Sequence, residues 1–405
     1  MKNFGIIAEY NPFHKGHEYQ IKLAKEEYGA KHVIVVMSGN YNERGLPAII
    51  EKKTRALFAI QAGADLVIEL PVCYALSDID KFALGAISLL NNIGIVDCLL
   101  FGSESGNIEE LENMSNIMQT KEYRAKYLNC QHYRNNDKRE YCFEELGLHQ
   151  YAKRINSPNN LLGIKYIDAI RTTNSNLKVI THKRVGSEYF DKYLYEYNIE
   201  NGFSSATAIR RSLMESFNTK KNIEKEIKLS VPEYVYKWMN ENWKKEFPIF
   251  NSDFADEIYN KIKQNNNGSL NTIEGCSNDF VESLFEDFNE LNAFEDYYHD
   301  LSKKNYNVNI DRLLFRILTL QKYEDIFEYM QNGIVFYINI LAKREDCEPL
   351  IGLIEQNTNI PIISENKALK KLNSLGVRQL ENCRRADEIY LRVKKNKFGF
   401  NGGRK

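Results

Sequence analysis

The chain has no apolar stretch approaching the ~18 to 20 uninterrupted residues of a membrane span, so no membrane partner is expected. A signal-peptide core is also missing. Met1-Lys2-Asn3 runs straight into a strand-like segment, and a cytoplasmic location is the expectation. Neither charge sign is in excess, since 54 Lys and Arg face 55 Asp and Glu, so net charge selects no class of partner. Cysteine is sparse and unorganised: Cys73, Cys98, Cys130, Cys142, Cys276, Cys347 and Cys383 are odd in number and never spaced C-x-x-C. A disulfide framework and a structural zinc site are therefore not expected, and the thiols read as reduced and mostly buried. There is no internal repeat and no long low-complexity tract. What remains is 405 residues, 43% hydrophobic, enough for a large core and two domains.

The first hundred residues alternate strand and helix patterns. Strands are predicted at 4–8, 32–37, 66–70 and 98–101, the second continuously apolar as in sheets buried on both faces. Helices are predicted at 17–28, 51–61 and 79–90, with Gly63 ending the second and Pro71 stopping the third strand. The pattern resumes with a helix at 164–170 and a strand at 177–181. This is an α/β, Rossmann-like, doubly wound parallel sheet. Ligands bind outside the carboxyl ends of such strands, so the loops at 11–17, 38–47, 71–74 and 102–104 are expected to line one crevice.

The first of those loops carries the strongest signal, Asn11-Pro12-Phe13-His14-Lys15-Gly16-His17. With 7 His and 22 Gly in the chain, an H-x-G-H string arises by chance on the order of once in a hundred such sequences. A histidine at a helix start is ordinarily a cap. Here two imidazoles, a glycine permitting close backbone approach, and the positive end of a new helix converge after a first strand, which suits phosphate. A second motif, Ser204-Ser205-Ala206-Thr207-Ala208-Ile209-Arg210-Arg211, starts a later helix. Its hydroxyls, free backbone donors and an arginine one turn in form an anion site, or alternatively a capped helix. Asn159 and Asn160 in Ser157-Pro158-Asn159-Asn160-Leu161-Leu162-Gly163 read either as helix caps or as nucleotide contacts. Gly102 reads as a tight turn or a close approach, Arg44 as a solvated charge or an anion donor, and Arg184 as a phosphate donor at a strand end. Together these residues describe an ATP-using enzyme that promotes attack on the α-phosphate and releases pyrophosphate: His14 and His17 stabilise the α-phosphate, Thr207 and Arg210 hold the pyrophosphate, and Mg2+ bridges phosphate oxygens.

H-x-G-H after a first strand resembles the signature of the HIGH nucleotidyltransferase superfamily. The string Glu9-Tyr10-Asn11-Pro12-Phe13-His14-Lys15-Gly16-His17, with Met37-Ser38-Gly39-Asn40 and Asp65-Leu66-Val67-Ile68-Glu69-Leu70-Pro71, resembles its tRNA(Met) cytidine acetate ligase branch. The resemblance implies His14, His17 and Arg210 as catalytic residues. It implies ATP contacts along Ile7, Ala8, Glu9, Tyr10, Asn11, Pro12, Phe13, His14, Lys15, Gly16, His17, Glu18, Tyr19 and Gln20, and at Gly102, Asn159, Asn160, Arg184, Ser205 and Thr207. The implied reaction joins acetate to ATP as acetyl-adenylate and passes the acetyl group to N4 of the wobble cytidine of elongator tRNA(Met). Glu43-Arg44-Gly45-Leu46-Pro47 departs from the family pattern, where glutamine precedes the arginine and an acidic residue follows the glycine.

Residues 108–155 break the alternation and interleave basic with aromatic side chains, among them Lys121, Tyr123, Arg124, Tyr127, His132, Tyr133, Arg134 and Arg139. The stretch reads as a helical insertion, either an RNA surface or a solvated basic face. A boundary is placed after residue 215: residues 1–215 form the ATP-binding catalytic domain and 216–405 a helical plus small α/β domain, with strands at 335–340 and 360–363. From Lys367 onward twelve basic residues face three acidic ones, a polyanion surface for which Arg384, Arg385, Lys394, Lys395 and Lys397 are the candidate tRNA contacts. Two rivals use fewer of these parts: an adenylyltransferase acting on a phosphate-monoester coenzyme precursor, and a non-catalytic RNA-binding protein with a nucleotide fold. A class I aminoacyl-tRNA synthetase is disfavoured, because no K-M-S-K-S-like string follows the sheet.

Overall fold

The computed structural model describes residues 2–130, 135–184, 204–223, 225–265, 267–286, 309–363 and 368–399. Strand β1 (Asn3–Ala8) lies between β2 (His32–Ser38) and β4 (Cys98–Ser103), with β3 (Leu66–Leu70) beyond β2 and β5 (Lys178–Lys183) beyond β4. These five pair in parallel, Phe4 against Val33 and Cys98, Met37 against Glu69. The chain thus steps outward from β1 to β3, returns to β4, and leaves a crevice between β1 and β4 where the order reverses. Strand β2 shows why the sheet sits centrally. Ile34 and Val36 enter one apolar cluster and Val33, Val35 and Met37 the opposite one, so the period-2 alternation has a buried destination on both faces.

The helices fall where the apolar periodicity places them, with ends shifted by a few residues: Lys15–Glu26, Lys52–Gln61, Ile79–Ile93, Pro158–Thr172 and Ala206–Asn218. Four helices, Ile108–Gln119, Lys121–Asn129, Asn135–Glu145 and His149–Ile155, make up the insertion after β4. Its aromatic residues pack inward in part: Tyr123 is buried, and Tyr127 stacks on it beneath the Lys138 ammonium. His132, Tyr133 and Arg134 lie outside the described residues.

The small α/β unit read near the C-terminus contributes its strands to the same sheet. β6, formed by Ile338–Lys343 rather than 335–340, pairs antiparallel with β3, and β7 (Ile362–Ile363) pairs parallel with β6. The long helix Ser374–Phe398 then crosses back onto the β2 end of the sheet. Tyr41 Oη donates to Ala386 O at 3.0 Å and Tyr390 Oη to Ala48 O at 2.7 Å. All seven cysteines are free, and six are buried. Among the described residues no helix is long and apolar enough to cross a membrane.

Candidate functional site

A cavity of about 450 Å³ opens at the carboxyl ends of β1 and β4, the reversal point of the sheet. His14 ends the turn after β1 and caps helix Lys15–Glu26. Its Nδ1 accepts the Gly16 N–H at 3.1 Å, and His17 Nδ1 accepts the His14 N–H at 3.2 Å, a reciprocal capping box built from two imidazoles. Their rings stack with centroids 3.6 Å apart. With both Nδ1 atoms accepting, the proton of each neutral ring sits on Nε2, the remaining donor. Burial, reinforced by the Arg184 and Arg210 cations, pushes His14 down to about 3; burial, His14 and Arg184 hold His17 well below its ordinary value. Both rings are neutral donors at pH 7.

The second motif meets the first across the cavity. Ser205 caps helix Ala206–Asn218, its Oγ accepting the Ala208 N–H at 3.1 Å. One turn in, Arg210 donates from Nη1 to Asn11 O at 2.7 Å and from Nη2 to Thr207 Oγ1 at 3.1 Å. Burial lowers Arg210 to about 10, which leaves it charged at neutral pH. At the end of β5, Arg184 donates to Asn159 Oδ1 at 3.4 Å. Arg44, Arg184 and Arg210 therefore share one cavity with the two imidazoles, a donor set for a polyanion such as a triphosphate. Ile79, Phe82, Phe101, Leu161, Leu162 and Tyr166 supply the apolar part of the same cavity wall.

The cavity is lined by Ile7, Ala8, Glu9, Tyr10, Asn11, His14, His17, Gln20, Gly102, Asn159, Arg184, Ser205, Thr207 and Arg210 from the sequence expectation. Pro12, Phe13, Lys15, Gly16, Glu18, Tyr19 and Asn160 do not line it. Phe13 is fully buried behind the turn against Tyr10 and His17, Gly16 serves through its N–H, and Glu18 pairs with Lys22 at 3.4 Å. Asn160 turns inward, its Oδ1 accepting the Ser105 N–H at 3.0 Å and its Nδ2 donating to Arg154 O at 3.2 Å. Neither asparagine is the cap: Glu104 reaches across from the β4 loop and accepts the backbone N–H groups of Asn159 and Asn160 at 3.2 and 2.8 Å. Residues 71–74 also miss the cavity. They form a buried turn under helix Ser374–Phe398, because β3 lies on the far side of β2 from the crevice.

Two of the five basic residues expected to meet tRNA are engaged internally. Lys394 is buried and paired with Glu51 at 2.8 Å and Glu246 at 3.2 Å; Lys397 pairs with Asp253 at 2.7 Å over the ring of Phe217. They sit on the inward face of an amphipathic helix, a placement that counting charge along the sequence does not register. Arg384 and Lys395 are exposed and Arg385 is half-buried; Lys367, Arg404 and Lys405 lie outside the described residues.

One residue without any motif underpins the site. Arg55, 1% exposed, donates to Ile50 O at 2.8 Å, Ser38 O at 3.2 Å, and to Glu9 O and Gly39 O. A single guanidinium thereby ties the ends of β1 and β2 together. In the sequence it is only a basic residue inside a helical pattern.

The fold, its reversal point and the paired histidine and arginine donors define a nucleotidyltransferase of the HIGH type, and the family described as HIGH Nucleotidyl Transferase matches residues 1–403. A tRNA(Met) cytidine acetate ligase from Thermosipho africanus is 31% identical over 389 residues, covering 91% of this chain and 87% of its own length. One from Clostridium novyi is 34% identical over 374 residues, covering 88% of each chain. Among solved structures, Thermotoga maritima TmcAL bound with alpha-thio ATP superposes with a TM-score of 0.83 at 27% identity, covering 99% of this chain and 98% of that one. Its apo form gives a TM-score of 0.85 at 28% identity, covering 98% and 95%. The chain belongs to the tRNA(Met) cytidine acetate ligase family of HIGH nucleotidyltransferases.

Proposed function

We propose that this protein joins acetate to ATP, forming acetyl-adenylate with release of pyrophosphate, and transfers the acetyl group to N4 of the wobble cytidine of elongator tRNA(Met), giving N4-acetylcytidine. The observation that carries the reading is the convergence of His14, His17, Arg184, Thr207 and Arg210 on one cavity in a chain whose relatives carry that ligase name over nearly their full length. A carboxylate oxygen of acetate attacks the α-phosphorus, and negative charge grows on the α-phosphate oxygens. The two Nε2–H groups meet that charge without needing to be protonated, while Arg210 and Thr207 hold the departing pyrophosphate. Catalysis is positioning plus electrostatics, with no covalent nucleophile.

Mg2+ fits this site as an ion carried by ATP. Among the described residues no group of three or more His, Cys, Asp or Glu could cage a metal, and Glu9 and Glu43 are the carboxylates on the wall. Phosphate oxygens and water would supply most of its ligands, with at most one of these carboxylates, and the bound ion would neutralise charge on the phosphates. The decisive experiment measures pyrophosphate release with acetate, with a phosphopantetheine-type acceptor, and with neither. Release that depends on acetate supports the ligase; release with the phosphate-monoester acceptor instead identifies the coenzyme-type adenylyltransferase.

Arg210→Lys keeps the charge but loses the planar fork that bridges Asn11 and Thr207. Acetate-dependent pyrophosphate release should fall at least about 10-fold, the loss of roughly one charge-assisted hydrogen bond. Unchanged kcat and KM for ATP would reduce the motif to a helix cap. The basic tail is tested through the side chains that are exposed or half-buried: Arg384→Gln, Arg385→Gln and Lys395→Gln combined should weaken tRNA binding and flatten its salt dependence by up to about three counterions. Acetyl-adenylate formation should be unaffected. Binding that keeps its affinity and salt slope would assign the tail to solvated surface.

A further inference from the structure

The ATP cavity contains a feature that the charge of its substrates does not explain. Two carboxylates, Glu9 and Glu43, stand on the wall of a site whose substrates, ATP and acetate, are both anions. Like charges repel there, so a carboxylate in such a place needs a task. Glu43 has one: it accepts from Arg312 Nη2 at 2.7 Å, with the Arg312 guanidinium also on its main-chain oxygen. That pairing fastens the 41–47 loop to helix Ile310–Thr319. Asn309 adds a bond to Arg44 O at 3.0 Å, and Gly45, at φ 80°, lies so close to the Arg312 backbone that a side chain would collide with it.

Glu9 differs. One oxygen, Oε1, accepts the Glu43 N–H at 2.8 Å, and the Arg55 and Arg210 cations lie close enough to feel its charge without a direct ion pair to it among the described residues. It follows β1 directly, two residues before the Asn11 carbonyl that Arg210 holds. The α-phosphate region and this carboxylate are thus set by one short turn, itself fixed from beneath by Arg55 on Glu9 O.

Resting on the ligase reading above, we propose that Glu9 is the catalytic base of the second half-reaction. The exocyclic amine of cytosine is a weak nucleophile, because its lone pair is delocalised into the ring, and its attack on the acetyl carbonyl generates an acidic N–H. As the C–N bond forms, the N4 proton passes to the Glu9 carboxylate. The tetrahedral adduct collapses, the bond from the acetyl carbon to the phosphate oxygen breaks, and AMP leaves with that electron pair. Glu9 returns the proton to water. In the first half-reaction acetate is already deprotonated, and Glu9 has no proton to take.

Glu9→Gln is the test, since the amide oxygen keeps the bond from Glu43 N–H while the base is lost. Three quantities are measured on the full chain: acetate-dependent pyrophosphate release, acetohydroxamate formation when hydroxylamine replaces tRNA, and acetyl transfer to tRNA(Met) in a single turnover. Hydroxylamine is a strong nucleophile that needs no enzymic base, so hydroxamate formation and pyrophosphate release carry whatever Glu9 contributes to holding ATP and its Mg2+, and the two should change together. Relative to both, transfer to tRNA should fall by a further factor of about 10² to 10⁴, with the Kd for tRNA unchanged. Retained transfer would overturn the proposal. So would an equal loss of all three that added Mg2+ repairs, which would make Glu9 a metal ligand. A wild-type enzyme releasing pyrophosphate without acetate would instead fail the ligase reading itself, and that is seen before any variant is made.

Discussion

His14→Ala and His17→Ala should each lower acetate-dependent pyrophosphate release by about 10²-fold or more, the usual effect of deleting one donor to a developing oxyanion. The two rings are coupled, because each Nδ1 closes the capping box that orients the pair. The double variant should therefore lose less than the product of the single losses. A pH profile separates this role from proton transfer. The depressed His14 value, about 3, means that no histidine limb should appear in kcat between pH 6 and 9, whereas an imidazolium donor would lose activity as pH rises through 6 to 7. The stability effect runs the other way from that of an ion-paired histidine. Between about 6.5 and 3 the unfolded chain binds protons that the folded rings refuse, so stability should fall as pH drops through that window. Urea midpoints at pH 7 and pH 5, compared between wild type and His14→Ala, check the sign; an unchanged difference would mean the rings are not buried neutral.

Arg55→Leu should be the most damaging substitution outside the cavity. It strips donors from four main-chain carbonyls, of Glu9, Ser38, Gly39 and Ile50, grouped around a side chain that is 1% exposed. At roughly 1 to 3 kcal/mol for each unsatisfied group, partly recovered by relaxation, a loss of about 4 kcal/mol is expected. That is a large share of the 5–15 kcal/mol that typically holds a folded chain. Arg55→Lys retains the charge and one or two of the bonds and should cost about half as much. Where these variants remain folded, adenylate formation should still drop about 10-fold, since the main chain at Glu9 that leads into the histidine turn loses its anchor. Denaturation midpoints and pyrophosphate release on the same samples test both halves, and a wild-type midpoint in Arg55→Leu would refute the account.

The contrast between these substitutions shows what the sequence discloses. The histidine turn was legible because its chemistry is local: donor, donor and helix end fall within four residues after a strand. The parallel sheet was legible because β2 has a different apolar set on each face. The second motif was legible from the hydroxyls and arginine in its first turn. What escaped was assembled across distance. Arg55 owes its role to carbonyls at the ends of two strands and at Ile50, the Glu104 carboxylate caps a helix 55 residues onward, and the Arg312 guanidinium holds a loop 269 residues earlier. Periodicity likewise gives the apolar wall no mark to distinguish Tyr166 or Phe101 from ordinary core. The basic tail misled in part for a related reason: its charge is a property of the sequence, but which lysines point outward is decided by the apolar face of the helix on which they ride.

The antiparallel seat of β6 beside β3 carries a consequence for how the molecule must be made. Asn339 Nδ2 donates to Glu69 Oε2 at 2.6 Å across 270 positions of chain, and Ile68 faces Ile340 in the ladder. A polypeptide cut near residue 215 would hold every phosphate donor described above, yet its sheet would end in β3 as a bare edge of apolar Leu66, Val67 and Ile68 with unpaired N–H and C=O groups. Such an edge invites a second molecule to add its own strand. The same exposure exists on the ribosome from the time β3 emerges until β6 is synthesised, at about 5–20 residues per second an interval of roughly ten seconds to a minute. A fragment ending near residue 215 is therefore expected to aggregate when expressed alone, and recombinant work is best done with the chain kept through residue 398.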